Sequence, residues 1–254
     1  RENKGASWVH ATMFGAKIRA AVMRSTNVMR AYVPGSMRSK SGGAAAAGGG
    51  FGILAFAQSN PFAFQVGVST VKTGAADLLT QTAVEGKSLS EIDIKRNMVF
   101  IVFGATYLGG FQWWIQVTQF RKWFPGMDRF ANATFAEKMK DIPGMISAAK
   151  QVCFDVFVHL PFMYFPCFYA TKESVQGKSW NPADWVVNGC TKYYHNFTKD
   201  FTAMFQLWAP ADVILFSLPI WLRMPARHAV SFVWTAYLSL LRGSVAKADD
   251  KKKA

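Results

Sequence analysis

The sequence predicts an all-α, polytopic membrane protein: a four-transmembrane-helix bundle with interfacial helices beside it. Three observations lead there. Of 254 residues, 51% are hydrophobic and 15% aromatic, while only 17% are charged, against about 25% charged in a soluble domain. The apolar residues gather in runs near the ~20 residues that cross a hydrocarbon core. The basic excess, 29 Lys and Arg against 15 Asp and Glu for a net charge of +14, falls mainly in tails and loops, where membrane proteins carry it. A disordered chain is excluded by the apolar content, and a disulfide scaffold by a cysteine count of three.

Residues 1–59 read as a basic, Gly/Ala-rich extension, with eight basic residues and the single acid Glu2. Arg, Met, Ser and Ala without acids are the composition of a transit peptide for a mitochondrion or plastid. The chain opens on Arg1 rather than Met, as a processed or partial sequence would. Within the extension, SGGAAAAGGGF at 41–51 is a low-complexity linker. Alone in water it would be mobile, and an ordered copy would be held by a partner subunit.

The membrane domain is expected over residues 60–242. The stretch 60–81 is a span carrying Lys72 and Asp77, and its small residues Gly67, Ser69, Gly74, Ala75 and Ala76 suit packing against helices rather than lipid. The stretch 98–120 has no charge and is bounded by Lys95-Arg96 and Arg121-Lys122, which suit two interfaces. After Phe124-Pro125-Gly126, a basic amphipathic stretch to Lys140 is expected to lie in the interface. The span 151–170 carries Asp155 and His159, and Pro161 and Pro166 predict a kink. The aromatic, mixed-polarity stretch 180–205 reads as a second interfacial segment. Residues 207–241 hold two apolar runs, 213–222 and 228–241, separated by Arg223, Pro225 and Arg227. They are either one span with a re-entrant piece or two short spans. Residues 243–254 are a basic tail. Most tryptophans (Trp113, Trp114, Trp123, Trp180, Trp185, Trp208, Trp221 and Trp234) fall near predicted span ends, as in aromatic belts.

Loop charge favours four spans. The N-terminal extension, the 121–150 loop and the C-terminal tail are all net basic. Four spans put them on one side, and five would separate the tail from the others. Both termini are then on the matrix side.

The pieces of 60–242 also form a series. Asn60-Pro61 opens it, followed by GAADLLTQ from Gly74 to Gln81, Asp93 with Arg96, and Lys150, Asp155 and Pro161. The last third reads Leu207-Trp208-Ala209-Pro210-Ala211-Asp212, then Leu215-Phe216, Leu218-Pro219, Arg223 and Trp234-Thr235-Ala236-Tyr237-Leu238-Ser239. In order and spacing these resemble the Mpv-seventeen / peroxisomal-membrane-protein-twenty-two family of four-span organellar membrane proteins. Trp208, Phe216, Pro219, Arg223, Trp234, Tyr237, Leu238 and Ser239 carry the resemblance at the C-terminal end. It implies a mitochondrial inner or peroxisomal membrane, small-solute channel or homeostasis roles, and no established enzymatic activity. Against the family pattern, Trp113 stands at a histidine position, Asp212 at a glutamine, Leu215 at an asparagine and Val156 at a glutamine.

Ionisable groups inside spans cost about 2.5–3.5 kcal/mol at the bilayer centre and are functional candidates by default. Lys72, Asp77, Arg96, Asp155, Asp212 and Arg223 form the candidate polar cluster, either lining a pore or pairing inside the bundle, with the acids on Lys72, Arg96 or Arg223. No metal-ligand spacing links His10, His159, His195 and His228, and Cys153, Cys167 and Cys190 are expected to be small buried residues. The phosphate-loop, metalloprotease and nucleophile-elbow motifs are absent from the sequence. The expectation is therefore a non-enzymatic protein without catalytic residues, metal or cofactor. Its partners would be membrane lipids, including anionic ones such as cardiolipin, and other subunits, but no nucleic acid. Two functions compete: an accessory subunit of an energy-converting complex in the mitochondrial inner membrane, and a free-standing small-solute channel. A plastid or peroxisomal membrane is the alternative location.

Overall fold

The computed structural model describes residues 55–57 and 59–253, and all regular structure among them is helical. The basic extension, its transit-peptide composition and its 41–51 linker lie outside the described residues.

Helix α1 (Pro61–Leu79) begins with proline in its first turn, where a missing N–H costs nothing. Helix α2 (Ile94–Trp123) is capped by Asp93, whose side chain accepts from the Arg96 N–H. It ends before Gly126, whose φ of 92° reverses the chain at a position that suits glycine. Two short helices follow, α3 (Met127–Asn132) and α4 (Phe135–Lys138), the second opened by a Thr134/Glu137 capping box. The expected amphipathic stretch to Lys140 is thus broken in two. Helix α5 (Ile142–Gln176) starts at an Asp141 cap. Helices α6 (Pro182–Phe216) and α7 (Ile220–Lys253) complete the chain.

Helix α1 packs on α2 and α7, α2 on the second half of α5, and α5 on α6, while α6 and α7 also touch. The α1–α2 contact is close because of glycine. A Cβ on Gly104 would sit 2.0 Å from Thr73 Oγ1, and one on Gly109 would sit 2.7 Å from the Val66 backbone. Of the small residues expected to pack against helices, Ser69, Gly74 and Ala76 are buried, with Gly74 against Ile101 of α2, whereas Gly67 and Ala75 are exposed. Between α2, α5 and α7 lies an aromatic core of Phe103, Tyr107, Tyr164, Phe165, Phe168 and Trp234. Phe103 stacks on Tyr107 at 5.0 Å and meets Tyr164 edge-on at 5.0 Å.

Long helices α2 and α5 are long and apolar enough to cross a membrane. Each contains π-helical stretches, with hydrogen bonds reaching five residues back: Gly104–Phe111 and Trp114–Gln119 in α2, Asp155–Tyr164 in α5. Pro161 sits inside the last of these, so the helix accommodates it within a widened stretch.

Four expectations are corrected. The chain break in 207–241 falls at 217–219, ending on Pro219, and not at 223–227. Pro225 lies inside α7. Residues 182–205 are not a separate segment but the first part of the 35-residue α6. Gly189, Tyr193, Asp200, Met204, Trp208 and Asp212 make one buried stripe along α6 at intervals of mostly four residues. Trp113, Trp208 and Trp234 are buried in the interior rather than placed in belts. Cys153, Cys167 and Cys190 are exposed, on faces that the bundle leaves uncovered.

Candidate functional site

The candidate polar residues divide between two buried networks and a cleft. The first network joins α1, α2 and α7. Asp77 is completely buried and accepts four hydrogen bonds: Oδ1 from Arg96 Nε at 2.8 Å and Ser239 Oγ at 2.6 Å, Oδ2 from Gln81 Nε2 and Asn97 Nδ2, both at 2.9 Å. Arg96 also donates to Ser239 Oγ and, at 2.7 Å, to Glu85 Oε1. Lys87 closes the outer edge, 3.1 Å from Glu85. Gln81 is fixed in turn, since its Oε1 accepts from the Asp93 N–H at 2.8 Å and from Lys87 at 3.0 Å. Burial raises the Glu85 pKa, but hydrogen bonds from Arg96 and Lys87 outweigh it and hold the carboxyl below its ordinary range.

The second network lies among α2, α5, α6 and α7. Arg227 bridges two buried acids, with NH1 2.9 Å from Asp212 Oδ1 and NH2 2.8 Å from Asp155 Oδ2. Its guanidinium lies over the Trp208 ring at 4.8 Å. His159, one turn beyond Asp155, hydrogen-bonds Asp155 Oδ1 at 2.7 Å through Nδ1 and the Tyr107 hydroxyl at 3.0 Å through Nε2. Gln116 Nε2 donates to Asp155 Oδ1 at 3.3 Å. Several atoms here have no hydrogen-bond partner among the described residues: Asp212 Oδ2, Arg227 Nε, Gln116 Oε1 and Trp208 Nε1.

Beside this network a small, partly open cleft runs between α1, α2 and α7. Eight of its eleven lining residues are polar or charged, Gln65, Ser69, Lys72, Gln112, Gln116 and Ser231 together with Arg227 and His228, although the surface they and their neighbours present to it is mainly apolar. Lys72 donates to Ser231 Oγ at 2.5 Å, and His228 Nε2 meets Gln65 Oε1 at 2.8 Å.

Of the residues singled out from sequence, Asp77 and Arg96 meet directly. Asp155 and Asp212 meet through Arg227, which the sequence reading treated only as a separator between apolar runs. Lys72 stands in the cleft with a hydroxyl partner. Arg223 pairs with none of the acids. It turns back to the Phe216 and Leu218 carbonyls at 3.1–3.2 Å and so closes the C-terminal end of α6. His159 was also missed, although its spacing of four from Asp155 places both on one helical face. The C-terminal motif residues are used in the same places. Trp208 lies under Arg227, Trp234 Nε1 donates to Tyr164 at 3.0 Å, Ser239 holds Asp77, and Leu238 is buried while Tyr237 is exposed.

Among the described residues no group of three or more His, Cys, Asp or Glu could hold a metal ion. No family model, curated protein or solved structure matches the chain.

Proposed function

We propose that the chain is a non-enzymatic, four-span membrane protein of the Mpv-seventeen type, resident in the mitochondrial inner membrane. Its polar cleft serves passage of a small hydrophilic solute. One observation carries the membrane part, the inversion of inside and outside. Asp77, Asp155 and Asp212 have no exposure, while Val71, Phe162, Val213, Ile214 and Val233 are 58–72% exposed. Water would favour the opposite arrangement, and lipid favours this one. These exposed residues lie on α1, α5, α6 and α7 and so extend the reading beyond the two most apolar helices. The spans are α1, α2, α5 and a fourth built from the Trp208–Ser239 region. The cleft supports the solute reading, since eight of its lining residues are polar or charged and lie between packed helices.

A second reading, an accessory subunit bound to lipids and to other subunits of an energy-converting complex, draws on a different observation. The Asp77–Arg96 network is closed upon itself and leaves a rigid scaffold rather than a conduit. Two measurements separate the readings. Purified protein in planar bilayers conducts if the cleft is a pathway, and Asp155→Asn or Asp212→Asn alters its selectivity. Absence of current under all gradients overturns the solute reading. Co-migration with a megadalton species on native gels of mildly solubilised organelles supports the subunit reading, and a small free species overturns it.

A further inference from the structure

The cleft between α1, α2 and α7 holds one cationic side chain without an ion-pair partner among the described residues, Lys72. No Asp or Glu lines the cleft. Arg227 is matched by Asp155 and Asp212 through its two terminal nitrogens, but its Nε–H is buried without a partner. Lys72 presents three N–H donors and uses one on Ser231 Oγ. Among the described residues no carboxylate pairs with it. It lies in the middle part of α1, eleven residues beyond Pro61 and seven before Leu79. An ammonium at that depth needs a counter-charge or several acceptors. The protein supplies one hydroxyl.

We propose that the cleft binds a compact monovalent anion of halide size. Lys72 Nζ holds it, with the Ser231 hydroxyl as a further donor. The enclosed part of the cleft has room for roughly one or two water-sized particles, which suits a halide and its remaining water. The anion supplies the charge that Lys72 lacks. This proposal rests on the solute reading and names the solute class, but binding can be measured without transport.

The test uses the full chain, purified in mild detergent at pH 6.5 and unfolded by heat. Sodium isethionate, whose anion is too large for the enclosed part of the cleft, is replaced stepwise by sodium bromide at constant ionic strength. A saturating rise in Tm of about 2–4 °C is expected. Lys72→Arg keeps the rise and Lys72→Met abolishes it. Identical melting in the two salts, or an undiminished bromide response in Lys72→Met, overturns the site. If Lys72→Met does not fold, the bromide and isethionate comparison on the unaltered chain still decides. Bromide binding without bromide flux from vesicles keeps the site and overturns the solute reading. Cation flux without any bromide response does the reverse.

Discussion

Asp77 and Asp212 are equally buried, yet their surroundings differ in one respect. Asp77 accepts four hydrogen bonds and leaves no oxygen unserved. Asp212 accepts one, from Arg227, and its Oδ2 has no partner among the described residues. Formal charge differs in the same sense. In the first network Asp77 and Glu85 are matched by Arg96 and Lys87. In the second, Asp155 and Asp212 share the single guanidinium of Arg227. That network therefore holds one carboxylate more than it has guanidinium groups. Both networks join helices that are distant in sequence. Only the first does so with every charge answered. A closed network of that kind acts as a clamp, whereas the second stores an imbalance beside a polar cleft.

Four experiments break or sharpen this contrast. The largest effect is expected from Arg227→Met, which leaves two acids without a cation. Breaking a buried pair costs about 3–5 kcal/mol, so the variant should unfold at much lower denaturant than the parent in detergent. Wild-type stability in that variant would mean that the acids do not depend on Arg227. Next comes Asp77→Asn. All four partners of this carboxylate donate, so a carboxamide NH₂ must face a donor, and charge-assisted bonds worth about 2 kcal/mol are weakened. Equilibrium unfolding against the parent measures it. The third is a pH effect at the rim. Because the folded Glu85 pKa is depressed, its contribution is present above the unfolded carboxylate range and is lost as pH falls through the folded value. Solvent screening limits it to at most about 1 kcal/mol. The stability difference between parent and Glu85→Gln should therefore shrink between pH 6 and pH 3, and a constant difference would remove Glu85 from the clamp. The smallest expected change belongs to Asp212→Asn. It removes the unbalanced charge and leaves Asp155 with Arg227, so stability should stay within about 1 kcal/mol of the parent. Equal losses for Asp77→Asn and Asp212→Asn would erase the distinction between the two networks.

The first network was readable from sequence and the second only in part. Asp77 and Gln81 are four apart on one helical face, and Asp93 with Arg96 marks a helix start, so local spacing places these members, while Ser239, 162 residues from Asp77, joins them only through packing. Asp155 and His159 obey the same rule. Arg227 does not announce itself, because it lies 72 residues from Asp155 in a stretch that also contains Arg223 and Pro225. The candidate cluster already set Lys72, Arg96 and Arg223 against Asp77, Asp155 and Asp212, so a count of charges gave no reason to look for Arg227, and only packing selects it. Helix α6 was misjudged for a related reason. Its exposed face over 182–205 mixes polar residues with Val186, Val187, Tyr194, Phe197 and Phe205, and that mixture hides the stripe from Tyr193 to Asp212 that periodicity would have revealed. The break at 217–219 was misplaced because Pro219 and Pro225 look alike as letters. Arg223 reaches back across the first of them to the last carbonyls of α6.

The widened stretches of α2 and α5 bear on how this chain can be compared or edited. A π-helical turn holds about one residue more than an α-helical turn. Its presence is therefore equivalent to an insertion that the helix has absorbed without forming a loop. Residues beyond Gly104–Phe111 or Asp155–Tyr164 are rotated out of phase with those before them. Matching such helices position by position would slip by one residue at these points unless a gap is admitted within them. The same places are where deletion of one residue would be tolerated best, because the helix can return to its ordinary pitch.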